Sequence, residues 1–106
     1  MLTKEEALKL LENKTDFSLY KNSKFYYNID HLKNMAGSWV DYFYSIIPER
    51  TSTKEWMGSS AYNFDDAKFM ADFLREIGIK VILTIGLWNG QDRYYFNCSW
   101  EREEGK

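Results

Sequence analysis

The sequence predicts an α+β fold, a small antiparallel sheet covered on one face by two or three helices. Three observations lead there. Asn89-Gly90 lies between two alternating apolar runs, and Asn-Gly is the strongest two-residue hairpin signal, because a type I′ turn needs positive φ at both central residues. Residues 29–47 and 64–77 each gather their apolar side chains on one helical arc. A length of 106 residues suits a single domain, 1–106, that can bury one core without staples.

The hairpin spans 79–88 and 91–100. With Asn89-Gly90 as the turn, Trp88 faces Gln91. The register then pairs Ile85 with Tyr94, Leu83 with Phe96, Val81 with Cys98 and Ile79 with Trp100. These eight share one face and read as core. The opposite face carries Lys80, Ile82, Thr84, Gly86 and Trp88 against Gln91, Arg93, Tyr95, Asn97 and Ser99, and reads as wet.

The first helix covers 3–13. Thr3 and Glu6 form a capping box, and Ala7, Leu8, Leu10 and Leu11 supply its stripe. Residues 15–28 are ambiguous. Phe17, Leu19 and Tyr20, then Lys21-Asn22-Ser23, then Phe25 to Tyr27 make a candidate second hairpin, so that 17–28 could extend the sheet. Residues 29–47 alternate well enough for a strand, but a helix explains every polar position. It puts Leu32, Met35, Ala36, Trp39, Val40 and Phe43 on one side and His31, Asn34, Ser38, Asp41 and Ser45 on the other. Asn28 or Asp30 is the expected cap, Pro48 the stop, and Gly37 a possible kink. Residues 48–62 read as a long loop carrying Trp56 and Met57. Asn63 and Asp66 form a second capping pattern that opens the helix at 64–77, and Gly78 sits where a C′ glycine belongs. Glu101 to Lys106 reads as a charged, frayed tail.

Composition excludes several classes. Net charge is −2, so the basic footprint of a general nucleic-acid binder is missing and direct nucleic-acid binding is not expected. The middle of the chain is acidic: residues 36–76 hold seven acids against four bases, a mild pointer to a basic partner. A single Cys allows no intramolecular disulfide, and Cys98 falls on the core face. Met1 to Glu6 lead into a charged helix, and no apolar stretch approaches the ~20 residues of a membrane span. The expected compartment is a reducing cytoplasm.

The chain shows no catalytic constellation. His31 is the one histidine, on a polar helix side, and one Cys with one His cannot build a zinc site. Asp65, Asp72 and Glu76 share a helix face, but Lys68 and Arg75 lie among them, which reads as a solvated ion-pair ladder and not a Mg²⁺ site. Gly58-Ser59-Ser60 lacks phosphate-loop spacing. The expectation is a protein that is not an enzyme, with no cofactor and no metal.

What remains is a binding surface. Trp88, Arg93 and Tyr95 lie on the wet hairpin face, and Trp, Tyr and Arg dominate interface hot spots. Trp56 in the loop is a second anchor. Asp65, Asp66, Asp72 and Glu76 are the acids expected to meet a basic groove in a protein partner, such as one that normally holds nucleic acid. In size and composition, though in no specific residues, the chain resembles small phage- or mobile-element-type inhibitors of host defence nucleases, the anti-CRISPR and anti-restriction proteins, and equally toxin-immunity proteins. The resemblance implies steric inhibition of a macromolecule. Nucleic-acid binding through the aromatic sheet face is the alternative. A homodimer through the apolar side of 29–47 is a further one.

Overall fold

The computed structural model describes residues 1–58 and 61–101. Helices α1 (Lys4–Glu12), α2 (Ile29–Ile46) and α3 (Phe64–Glu76) and strands β1 (Ser52–Gly58), β2 (Lys80–Trp88) and β3 (Gln91–Ser99) follow in the order α1-α2-β1-α3-β2-β3. The strands form one antiparallel sheet in the order β1-β3-β2. The fold is α+β, with the β2–β3 hairpin as expected.

The turn sets the sheet. Asn89 has φ of 52° and Gly90 of 77°, the left-handed pair that a type I′ turn requires. Trp88 pairs with Gln91, and the ladder runs down to Lys80 against Ser99 in the expected register. Val81, Tyr94, Phe96 and Cys98 are buried, as are Ile79 and Trp100 just beyond the strands. Ile85 departs from expectation. It is 55% exposed although it shares their face, because β2 is an edge strand and the helical cover stops short of its turn end.

Two sequence expectations are corrected together. Residues 17–28 do not extend the sheet. They form a 3₁₀ turn at Ser18–Tyr20 followed by successive i→i+3 hydrogen bonds, from the Ser23 N–H to the Tyr20 C=O and from the Tyr26 N–H to the Ser23 C=O. The three-residue spacing buries Phe17, Tyr20 and Ser23, and the rings of Phe17 and Tyr20 pack on Phe69 of α3. The third strand comes instead from the segment read as a loop. Thr53, Glu55 and Met57 of β1 lie opposite Cys98, Phe96 and Tyr94. Two of those three inward residues are polar, so the alternation that marks a strand is missing from the sequence.

The 29–47 segment is a helix, and α2 runs unbroken through Gly37. Gly37 lies beside α1 without being crowded by it: a Cβ there would stand 4.0 Å from the Leu11 side chain, an ordinary contact. Asn28 occupies the N-cap position of α2 without a side-chain bond. Both capping boxes form. The Glu6 N–H donates to Thr3 Oγ1 at 3.2 Å, and the Asp66 N–H donates to Asn63 Oδ1 at 3.2 Å. Leu32, Ala36, Val40 and Phe43 of α2 and Ala67, Met70, Phe73 and Leu74 of α3 are buried. Trp39 meets Phe96 edge-on at 4.9 Å, which seats α2 on the sheet. The Trp100 indole N–H donates to the Arg50 C=O at 2.7 Å, fastening the end of β3 to the α2–β1 connection. The tail reading at 101–106 falls, from 102 on, outside the described residues.

Gly78 closes α3 with φ of 105°. A Cβ there would stand 2.8 Å from the Met1 Cα, since the chain start is held by the Leu2 N–H donating to the Ile77 C=O at 3.0 Å. Gly78→Ala is therefore expected to destabilise the fold by about 1–3 kcal/mol in chemical denaturation. Unchanged stability would mean that residues 1–2 move aside freely.

Candidate functional site

The open face of the sheet carries the candidate site. Alternation along the strands sends Lys54 and Trp56 of β1, Ile82, Thr84 and Trp88 of β2, and Arg93, Tyr95 and Asn97 of β3 to the side away from the helices. No described segment lies over this face. Trp56 and Trp88 are each more than half exposed.

Arg93 is its centre. Its cross-strand neighbours are glycines on both sides, Gly58 in β1 and Gly86 in β2. Two missing side chains leave a trough around the guanidinium, into which the diagonal indoles fold. The Arg93 guanidinium carbon lies 3.9 Å from the Trp56 ring centroid and 4.6 Å from that of Trp88. Beside this stack, Lys54 Nζ stands 4.8 Å from the Tyr95 ring centroid. Tyr95 leans across the gap at Gly86, where a Cβ would come within 3.0 Å of the ring. Each exposed cation–π contact contributes about 0.5–1 kcal/mol. The side chains are thus held in place by one another.

The face also has a sign. Lys54, Lys80 and Arg93 lie on it, and alternation places no acid there. Glu55 and Asp92 point to the helical side. A chain of net negative charge therefore presents a cationic, aromatic plane.

Trp88, Arg93, Tyr95 and Trp56, expected from two separate segments, are brought together. The expected acids are not among them; they sit on α3, in the helical layer. Asp66 is 0% exposed; it accepts from the Asn63 N–H at 2.8 Å and from the Ser23 hydroxyl. Asp65 accepts from the Asn22 N–H at 2.8 Å. Asp72 accepts from the Tyr20 hydroxyl at 2.7 Å and pairs with Arg75 at 3.1 Å. Glu76 pairs with Lys14 at 2.7 Å. The four carboxylates hold residues 14–23 against α3, so the picture of an acidic helix face presented to a basic groove does not match their placement. Sequence reasoning missed Lys54, because β1 was read as a loop. The Lys54-x-Trp56 spacing, which puts a cation and an aromatic on one side of a strand, was the available signal.

No protein-family profile matches this chain, and no curated protein or solved structure matches it either.

Elsewhere the chemistry is sparse. The exposed His31 stacks on Phe25 with centroids 4.4 Å apart, while Cys98 is buried in the sheet, so the two form no nucleophilic pair. Among the described residues no three or more His, Cys, Asp and Glu are placed to hold a metal ion. The groove between α1 and α2, lined by Asp30, Lys33, Asn34, Ser38 and Asp41, is spanned by the Lys4–Asp41 ion pair at 3.1 Å. Ser59 and Ser60 of the glycine-serine stretch lie outside the described residues. No described helix is long and apolar enough to cross a membrane.

Burial, with a smaller push from the nearby Glu55 charge, raises the Cys98 thiol to about 12. A thiol-specific reagent at mildly alkaline pH is expected to leave the folded protein unlabelled and to label it on denaturation. Because the folded value is raised, the thiol's contribution to stability is complete below the ordinary thiol range and is lost as pH rises through that range towards about 12. Rapid labelling of the native protein would place Cys98 at the surface and contradict the core register.

Proposed function

We propose that this chain is a non-enzymatic binding protein that acts by occupying a surface of another macromolecule, and that the open sheet face is its docking surface. The observation that carries this reading is the Trp56–Arg93–Trp88 stack, built from all three strands and left uncovered. Large aromatics and Arg are the side chains that concentrate binding energy at interface centres.

The partner is a protein, and charge decides which kind of surface it offers. The face is cationic and free of acid, so it suits a carboxylate-bearing patch and not the basic groove that composition suggested. The action is steric, since a plane of this kind closes a partner's working surface. In size and composition a phage- or mobile-element-type inhibitor of a host defence nuclease is the setting that fits best, and a toxin-immunity protein is the other.

One observation favours a second reading. Three cations and three aromatics on a sheet face whose strands place no acid there also suit single-stranded nucleic acid, with bases stacked on the rings.

The test compares the native chain with Trp56→Ala and Trp88→Ala variants in capture from a native lysate, with and without nuclease. Each substitution is expected to weaken retention of one stoichiometric protein by about 2 kcal/mol or more, with the melting temperature almost unchanged. Retention that disappears with nuclease, together with steeply salt-dependent binding of a labelled oligothymidine, would move the case to nucleic acid. Retention indifferent to both substitutions would remove the open face from the mechanism.

A further inference from the structure

The outer edge of β2 is a second surface that the docking face does not account for. In a two-residue hairpin Trp88 and Gln91 form a hydrogen-bonded pair, so the even residues of β2 bond to β3 and the odd residues direct N–H and C=O outward. Arg75 confirms this phase. Its Nη2 donates to the Val81 C=O at 3.0 Å and its Nε at 3.3 Å, which closes the edge at Val81. Beyond that point the main-chain groups of Leu83, Ile85 and Leu87 meet no partner among the described residues. Exposed edges are normally blunted by charge, proline or a bulge. From Val81 to Trp88 the strand has none of these: the run is VILTIGLW. The opposite edge of the sheet, β1, does carry Lys54 and Glu55.

We infer that this edge pairs with the same edge of a second copy of the chain, joining two three-stranded sheets into one of six strands about a two-fold axis at Ile85. The register centred there sets Ile85 against its own counterpart and Leu83 against Leu87. It uses all three sets of free main-chain groups on each copy and leaves the Arg75–Val81 bond untouched. The same register places Ile82 against Trp88 on the open face and Thr84 against Gly86, where the missing side chain leaves room. Each exposed apolar side chain of the edge thereby meets another. Ile82, Ile85, Leu87 and Trp88 are 67, 55, 74 and 57% exposed. Together these leave on the order of 500 Å² uncovered per copy, so a pair that covers most of it approaches the ~1,000 Å² at which specific interfaces begin, while the Trp88 ring stays against Arg93 on the open side. Because even residues meet even residues, both open faces lie on the same side of the joined sheet.

Sedimentation velocity of the full chain, from low to high micromolar concentration, tests the pairing. The expected result is a monomer–dimer equilibrium. Ile85→Lys sets like charges across the axis and is expected to weaken association by at least about a hundredfold. Leu87→Lys, at a more exposed position, should do the same, and circular dichroism of the dilute protein should show both variants folded. The register has its own test. Ile85→Cys should form a disulfide-linked dimer under mild oxidation, since facing residues of a hydrogen-bonded pair lie ~5.5 Å apart. Thr84→Cys should not, because its counterpart sits a two-residue diagonal away, beyond the ~7 Å reach of a disulfide. A monomer at every concentration would overturn the proposal. So would a dimer that tolerates both lysines.

Discussion

The Asn89-Gly90 turn is the constraint on which the sheet depends. Its two positive φ angles fix Trp88 opposite Gln91, and strict alternation then assigns every side chain of β2 and β3 to a face. A slip of one residue would send Phe96 and Tyr94 into solvent and bury Arg93. With the turn in place, β3 becomes the central strand. Its inward residues Tyr94, Phe96 and Cys98 receive the helices, and its outward residues Arg93 and Tyr95 receive the cations and rings of both neighbours. One strand thus supplies the middle of the core and the middle of the open face.

The second organising contact is polar. α3 is covered on two sides, by the sheet and by residues 14–23. The rings of Phe17 and Tyr20 supply the apolar part of that second contact through Phe69. Asp65, Asp66, Asp72 and Glu76 supply the rest through Asn22, Ser23, Tyr20 and Lys14. Burial followed by the Asp72 contact pushes the Tyr20 hydroxyl up from its ordinary value, as expected for a phenol that donates to a carboxylate in a half-dry seam. The acidity of the middle of the chain is thereby used internally, and the open sheet face has the opposite sign.

Much of the architecture was legible in the sequence because its signals are local. The Asn-Gly turn, the two capping boxes and the 3.6-residue periodicity of α2 and α3 each act within a few residues, and each formed. β1 was not legible, because what makes it a strand is the vacant edge of β3, some forty residues later, and its inward positions include Thr53 and Glu55. The 17–28 segment misled for a related reason. Its aromatics are sheet formers by propensity, but the three-residue spacing of Phe17, Tyr20 and Ser23 fits turns, and α3 offered them a surface. At the candidate site, hairpin alternation placed Trp88, Arg93 and Tyr95 on one face, and residue type singled out Trp56, which the β1–β3 register sets on the same face. Sequence logic could not tell that the α3 acids also hold residues 14–23, since those partners lie more than forty residues away.

The strand order also constrains how the chain is made. β1 and β2 both bond to β3, and β3 is the last of the three in sequence. During synthesis neither earlier strand has a neighbour until the Asn89-Gly90 turn and the residues after it have left the ribosome. The hairpin can then close quickly on its own, and β1 joins only across a long intervening loop that includes α3. Until that moment the uncharged run from Val81 to Trp88 emerges unpaired, the interval in which unpaired strand edges are most open to aggregation.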